Sequence, residues 1–267
     1  MTGATDAESA TTPSPTPAPL RFRVRAAHAP KEGNSEEEYE DAFACSAAEP
    51  LEGADRLTVA LADGASSAVF ARQWAQLLVT TFAADIPFPP DDAGAREAVA
   101  RLGGVWREAV TGRARSWYAQ EKLPAGSSAA LLVADWDGER GTVCARAVGD
   151  VCLFLVRQDR LRFGFPLTKS GQFGDRPALL STEPRADAPP ILRFETPLEA
   201  GDRCLLMTDA LAAYFLAEFE ARRKPWDTLP LDGEAFAPWL KRQRDSGAIK
   251  NDDVTVVEVA AISPSGS

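Results

Sequence analysis

The chain has 267 residues, of which 45% are hydrophobic, and it carries a net charge of −10 with an isoelectric point near 4.8. This length and composition allow one large domain with a sizeable core. The acidic balance argues against nucleic acid or an anionic membrane surface as the main partner, because both attract basic patches.

Two further features indicate a cytoplasmic protein without a membrane span. No stretch approaches the roughly 18 consecutive apolar residues of a spanning helix, and the N-terminus lacks the basic start and apolar core of a signal peptide. The cysteines form no CxxC pair, which favours reduced core residues in a cytosolic protein. They are Cys45, Cys144, Cys152 and Cys204.

The N-terminal part predicts a tail followed by strands. Residues 1–20 are rich in Thr, Ser, Pro and Ala, so we expect a disordered tail, with one domain over residues 21–262. Arg21 to His28 alternates in the manner of a half-buried strand. A polar loop then ends at Glu40-Asp41, and a strand begins at Ala42.

An apolar run from Leu57 to Ala62 predicts a buried strand that stops at Asp63-Gly64. A helical pattern follows from Ala68, with Ser66 or Ser67 as its cap. A second helix is predicted from Ala93 to about Lys122.

The second half of the chain predicts mainly antiparallel strands. Residues 127–162 form apolar runs joined by short turns, which is typical of antiparallel neighbours. Residues 164–190 predict a long loop, because they lack the periodic hydrophobic pattern of a helix or a strand. Further on we expect strands over 191–196 and 203–208, helices over 210–224 and 234–246, and a last strand after Asp252-Asp253. Strand runs interrupted by helical hairpins favour an α+β layered architecture over a doubly wound parallel sheet.

Three of the apolar runs end in an aspartate: Asp63, Asp150 and Asp209. A carboxylate at the tip of a buried strand costs solvation unless it is paired, hydrogen-bonded or bound to a cation. Three such tips therefore suggest a shared cation site.

Other acids at strand ends extend this set to Glu40, Asp41 and Asp252. Oxygen ligands without His or Cys select hard cations such as Mg²⁺ or Mn²⁺. Two such ions about 4 Å apart can lower the pKa of a shared water and neutralise the oxygens of a phosphoryl group. The chemistry predicted from these residues is phosphoester hydrolysis.

Five short motifs occur in an order that resembles the metal-dependent protein phosphatases of type 2C. They are EDAF at 40–43, ADGASS at 62–67, AVGD at 147–150, LLMTDAL at 205–211 and NDDVTVVEV at 251–259. The resemblance covers roughly residues 21 to 260. It implies a four-layer sandwich in which two antiparallel β-sheets are flanked by α-helices, with a two-ion site at one end.

The resemblance also implies a role for each acid. Asp63 would bridge both ions, and Gly64 would offer its carbonyl oxygen. Asp209 and Asp252 would hold one ion, while Glu40 and Asp41 would hold the other directly or through water. Asp150 matches the residue that helps to hold a third, weaker ion, and residues 164–190 match the variable flap. Because neighbouring strand residues point to opposite sides, only one of the pair Asp252 and Asp253 can enter the cleft, and the family pattern favours Asp252.

The sequence departs from the family pattern at three places. Glu36 and Glu37 stand where members carry an arginine that contacts the substrate phosphate. Lys31, Arg23 or Arg25 could substitute for that arginine, and the sequence does not choose among them. Ala210 replaces the usual glycine after the metal-binding aspartate, and Ala65 replaces a histidine that some members carry.

The predicted substrate is a protein phosphorylated on Ser or Thr, with a Ser/Thr kinase as a candidate partner. Two alternatives remain open. The missing arginine motivates a pseudophosphatase that binds a phosphoprotein or kinase without turnover. Lys169, Arg176 and Arg185 would converge on the cleft in an enzyme that acts on small phosphorylated metabolites.

Overall fold

A computed structural model describes residues 19–46, 52–112, 121, 123–174, 176–183 and 188–263. The predicted tail lies outside these residues except for its last two, and Leu20 is already buried in the core between the sheets. The described strands are β1 (Arg21–Ala29), β2 (Ala42–Cys45), β3 (Glu52–Ala54), β4 (Arg56–Gly64), β5 (Ser128–Asp137), β6 (Thr142–Val148), β7 (Cys152–Arg157), β8 (Arg160–Phe165), β9 (Leu180–Ser181), β10 (Leu192–Pro197), β11 (Arg203–Met207) and β12 (Val254–Ile262). The described α-helices are α1 (Ala71–Thr80), α2 (Asp92–Thr111), α3 (Asp209–Glu220), α4 (Pro225–Thr228) and α5 (Gly233–Asp245).

The strands form two antiparallel sheets. We call sheet A the one with strand order β3-β1-β12-β11-β7-β8, and sheet B the one with order β10-β6-β5-β4-β2, in which β9 also pairs with β5. Short turns join β5 to β6 and β7 to β8, as the turn chemistry predicts. The chain crosses from one sheet to the other several times, so both sheets contain strands from each half of the sequence.

Three apolar cores separate four layers. One core lies between the two sheets and contains Leu132, Trp136 and Leu153. The helices α1 and α2 pack on the outer face of sheet B around Trp74 and Trp106. Helices α3 to α5 cover the outer face of sheet A. The predicted four-layer α+β sandwich is therefore confirmed.

The last described strand, β12, lies between β1 and β11, and both of its faces are buried because sheet B covers one face of sheet A and the helices cover the other. Val256 packs toward the helices and Val257 toward sheet B. The polar residues Thr255 and Glu258 of this strand are also buried, at 0% and 1% exposure. Arg25 and Arg203 donate hydrogen bonds to the Glu258 carboxylate, which explains how a charge is accommodated there.

The helix boundaries differ from the predicted ones. No serine caps α1: it begins at Ala71 after Phe70, whose backbone is left-handed with φ of 54°. Asp91 caps α2 by accepting a hydrogen bond from the Gly94 amide. The described part of α2 ends at Thr111, and most of the predicted continuation to Lys122 lies outside the described residues.

The loop over residues 164–190 contains more structure than its composition predicts, since Leu180–Ser181 forms β9. No helix in the described ranges is long and apolar enough to cross a lipid bilayer.

Candidate active site

Four aspartates from the two sheets line one cleft of about 270 Å³. Asp63 lies at the end of β4 and Asp150 follows β6, both in sheet B. Asp209 is the first residue of α3, directly after β11 of sheet A, and Asp252 precedes β12 of the same sheet. The cleft therefore lies where corresponding ends of the two sheets meet.

Close packing at Gly64 fixes the turn after Asp63. A Cβ atom at this position would lie 2.7 Å from the carbonyl oxygen of Glu40 and 3.1 Å from the Cβ atom of Ala71. Only glycine therefore fits between the start of β2 and α1 without displacing backbone.

Burial and mutual repulsion act against the ionised aspartates. The pKa of Asp63 is raised well above its ordinary range by burial, and then by Asp41, Asp209 and Asp150. Burial and the charge of Asp209 raise the pKa of Asp150 to about 6. The pKa of Asp209 is raised by burial and by Asp252. Positive charge in the cleft would relieve this repulsion.

Asp41 lies behind the cleft and does not line it. Its side chain is buried, and its carboxylate accepts a hydrogen bond of 2.7 Å from Thr255 Oγ1 and another from Thr208. The Tyr39 hydroxyl is hydrogen-bonded to Thr255 as well. Burial is the main reason why the pKa of Asp41 is raised. These contacts fix the start of β2 against β12.

Glu40 approaches the site from the β1–β2 loop, although its side chain does not line the cleft. Ser66 is hydrogen-bonded to its carboxylate, whose pKa is raised by burial and by Asp253 and Asp252. The Asp253 carboxylate accepts hydrogen bonds of 2.7 Å from the backbone amides of both Lys31 and Glu40. Asp253 thus holds the loop, while Asp252 lines the cleft.

None of the three predicted phosphate-binding candidates lines the cleft. Arg25 is bound to Glu258, and the backbone amide of Lys31 is bound to Asp253. The basic side chain that lines the cleft is Lys250, whose Nζ atom lies 2.8 Å from Asp252 Oδ2. Sequence reasoning missed Lys250, although its position two residues before the predicted ligand was a usable signal.

The donor set fits hard divalent cations. Each of the acids offers oxygen only, and burial and mutual repulsion raise the pKa values of Asp63, Asp150 and Asp209, so that a cation beside them would be favourable. Within the described part of the chain, no three His, Cys, Asp or Glu side chains already converge as direct ligands of one ion.

The sequence of this chain matches a known family over most of its length. Residues 34–248 match the family described as Protein phosphatase 2C. The chain belongs to the protein phosphatase 2C family. No curated protein sequence matches it.

Several solved structures have a similar fold over nearly the whole chain. PppA, a regulatory component of the type VI secretion system in Pseudomonas aeruginosa, is 18% identical, with 92% of this chain and 100% of PppA covered and a TM-score of 0.57. The Mycobacterium tuberculosis serine/threonine phosphatase PstP is 19% identical over 90% of this chain and 99% of its own, with a TM-score of 0.56. Another PstP structure, of the catalytic domain in complex with two manganese ions, is 19% identical over 91% and 99% with a TM-score of 0.55. At these identities the likeness establishes the fold.

The acidic cleft of this protein phosphatase 2C chain adjoins a second cavity of about 520 Å³. The two cavities share Ala65, Ser67, Pro177 and Leu179. Pro177 and Leu179 belong to the segment over residues 164–190. This segment therefore borders both the acids and the adjoining space.

Proposed function

We propose that this chain is a Mn²⁺- or Mg²⁺-dependent protein serine/threonine phosphatase that hydrolyses phosphoester bonds. The observation that carries the proposal is the meeting of Asp63, Asp150, Asp209 and Asp252 in one cleft of a protein phosphatase 2C chain. Two bound ions would activate a water between them and neutralise the oxygens of the phosphoryl group.

The proposed ligand set follows the family order. Asp63 would contact both ions and Gly64 would offer its carbonyl oxygen. Asp209 and Asp252 would hold one ion, and Asp150 would help to hold a third. Glu40 and Asp41 would act on the remaining ion, and the burial of Asp41 behind the cleft favours a contact through water.

A phosphorylated protein is the proposed substrate. The second cavity adjoins the acids and is larger than the acidic cleft itself, so it offers room for residues beside the phosphorylated side chain. A Ser/Thr kinase that adds the phosphate is the proposed counterpart of the enzyme. A cytoplasmic location agrees with the four cysteines, none of which forms a disulfide bond in the described residues.

The structure gives little support to the two alternatives. For a metabolite enzyme, Lys169 and Arg176 do not line the cleft, and Arg185 lies outside the described residues. For a pseudophosphatase, the retained aspartates would repel one another without an ion to bind.

Turnover assays with the purified chain test the proposal. We expect hydrolysis of 4-nitrophenyl phosphate and of phosphoserine or phosphothreonine peptides with Mn²⁺ or Mg²⁺, and none with EDTA. Hydrolysis that persists in EDTA would rule out the mechanism. Phosphopeptide binding without turnover in Mn²⁺ would instead favour the pseudophosphatase.

A further inference from the structure

Lys250 brings a positive charge to a cleft that is otherwise lined by acids. It lies between α5 and β12, and its Nζ atom is 2.8 Å from Asp252 Oδ2. The lysine side chain is 70% exposed, whereas that of Asp252 is 24% exposed. The ammonium group is thus at the rim of the cleft, where an incoming substrate must pass.

Other basic side chains around the site are bound to loops and strands. Arg72 donates to the carbonyl oxygens of Glu36 and Tyr39, which fixes the loop before Glu40. Arg244 donates to the carbonyl oxygens of Pro30 and Asp252. Neither arginine lines the cleft, and in the described ranges Lys250 is the one basic residue that does.

The charge of the substrate decides what such a group can do. A phosphate monoester is an anion, and it must enter a cleft lined by four aspartates. An ammonium has three N–H donors and binds phosphate as a compact point charge. It can therefore hold a phosphate oxygen while it remains beside Asp252.

We infer that Lys250 binds the phosphate group of the substrate. It would take the role of the arginine whose sequence position is occupied by Glu36 and Glu37 in this chain. The inference rests on the proposed phosphatase function. Asp252 would keep Lys250 at the rim in the metal-free protein. An ion bound at Asp252 would neutralise that carboxylate, and the ammonium, which has three N–H donors, could then direct one of them to the phosphate.

A lysine that binds phosphate and a lysine that only positions Asp252 differ in their expected effects on phosphate and Mn²⁺ affinity. A lysine that binds phosphate strengthens anion binding but competes with a cation for Asp252. Its removal should weaken phosphate binding and leave Mn²⁺ binding unchanged or tighter. A lysine that only positions Asp252 would support Mn²⁺ binding and would have no effect on phosphate at saturating metal.

Three variants separate these roles: Lys250→Met, Lys250→Arg and the control Lys31→Met. Lys31 is close enough to Glu40 to favour its charged form, but it does not line the cleft. Its replacement therefore removes the same charge from the same neighbourhood. Calorimetric titrations would measure the Kd of Mn²⁺ and, at saturating Mn²⁺, the Kd of inorganic phosphate. Thermal melts would verify that each variant is folded.

We expect Lys250→Met to raise the phosphate Kd at least about tenfold, as for the loss of one charge-assisted hydrogen bond. The KM for 4-nitrophenyl phosphate should rise in parallel. Lys250→Arg should recover most of the affinity, and Lys31→Met should stay within about twofold of the wild type.

An unchanged phosphate Kd in Lys250→Met would overturn the inference, as would a wild type that binds Mn²⁺ but no phosphate. An equal loss in Lys31→Met would overturn it too, because a general charge effect would then explain the result. Failure of the proposed function gives a different result: a wild type that binds Mn²⁺ and phosphate but hydrolyses no phosphoester.

Discussion

At Asp63, burial and four neighbouring aspartates all oppose the ionised carboxylate. Such a residue is unfavourable to the metal-free fold, and a bound cation gives a physical reason for it. Asp63→Asn removes the charge with little change in volume. We expect turnover of 4-nitrophenyl phosphate to fall by about 10³-fold or more, because metal ions supply several kcal/mol of transition-state stabilisation.

Asp227→Asn is a matched control for that substitution, because Asp227 is an exposed aspartate on α4 that does not line the cleft. It should keep the wild-type rate. Circular dichroism should show both variants folded. Near-normal turnover of Asp63→Asn at saturating Mn²⁺ would refute the assignment of Asp63 as a ligand of both ions.

Asp150 makes the stability of the metal-free protein depend on pH. Burial and Asp209 raise the pKa of this carboxyl from its ordinary value of 3.8 to about 6. The folded protein therefore holds the proton more tightly than the unfolded chain, and its stability falls as pH rises between these values. This pKa difference corresponds to roughly 3 kcal/mol of unfolding free energy above about pH 6.

We expect Asp150→Asn to raise the unfolding free energy in EDTA by about 2–3 kcal/mol at about pH 7.5, and to have little effect at about pH 4. Urea denaturation of both proteins at each pH measures this difference. A gain of the same size at both pH values would show that repulsion at Asp150 is not its cause.

Sequence reasoning located the acids but not the groups that orient them. An aspartate after an apolar run is visible as a pattern, because a carboxylate there has no packing role. The hydroxyl of Thr255 carries no such signal, since a threonine in a strand is ordinary. Its role depends on a contact between residues more than 200 positions apart, the hydrogen bond from Thr255 to Asp41.

The β1–β2 loop and the start of β12 are held together as one unit. Asp253 accepts hydrogen bonds from the amides of Lys31 and Glu40, and Asn251 Oδ1 accepts another from the amide of Glu32. Two adjacent aspartates thus have different tasks: Asp253 fixes a loop and Asp252 lines the cleft.

Alanine substitutions of Asp252 and Asp253 should separate the two roles, lining the cleft and fixing the loop. Asp253→Ala leaves two amides without their acceptor, so we expect the unfolding free energy to fall by about 3 kcal/mol. Asp252→Ala should change it by no more than about 1 kcal/mol, because its ion pair with Lys250 is partly exposed.

The Mn²⁺ concentration for half-maximal activity should respond more strongly to Asp252→Ala than to Asp253→Ala. We expect an increase of at least about tenfold for Asp252→Ala, the loss of about one charged ligand contact. The reverse order in a Mn²⁺ titration would exchange the assignments of the two aspartates.

Periodicity predicted the strands better than the helix ends. Alternating patterns and apolar runs reflect the burial of side chains. They therefore predicted the bounds of β1, β4 and β12 to within a few residues. The start of α1 depends instead on the left-handed backbone of Phe70, which no residue-type rule predicts. The burial of Glu258 could not be foreseen either, because its two arginine partners lie on β1 and β11.

Across the whole molecule, the acids of the cleft come from both sheets. Ions bound by Asp63 of sheet B together with Asp209 and Asp252 beside sheet A would link the two layers. We expect Mn²⁺ to raise the midpoint of thermal unfolding and EDTA to reverse the change. At free Mn²⁺ of 100 times Kd, the gain for one site is about 2.7 kcal/mol.

Differential scanning calorimetry with increasing Mn²⁺ measures this effect, and Asp63→Asn should reduce it sharply. A midpoint that does not respond to Mn²⁺ in the wild type would contradict binding of the ion to the folded cleft.

The position of β12 has a consequence for the order in which the enzyme is completed during synthesis. This strand follows the other described strands in the chain, yet it occupies the middle of sheet A between β1 and β11. When a ribosome has just added Asp209, Asp63 and Asp150 are already part of the chain. Asp252 and the strand that joins β1 to β11 have not yet been made. The proposed activity can begin only after the whole sandwich has closed, so a half-translated chain cannot dephosphorylate anything.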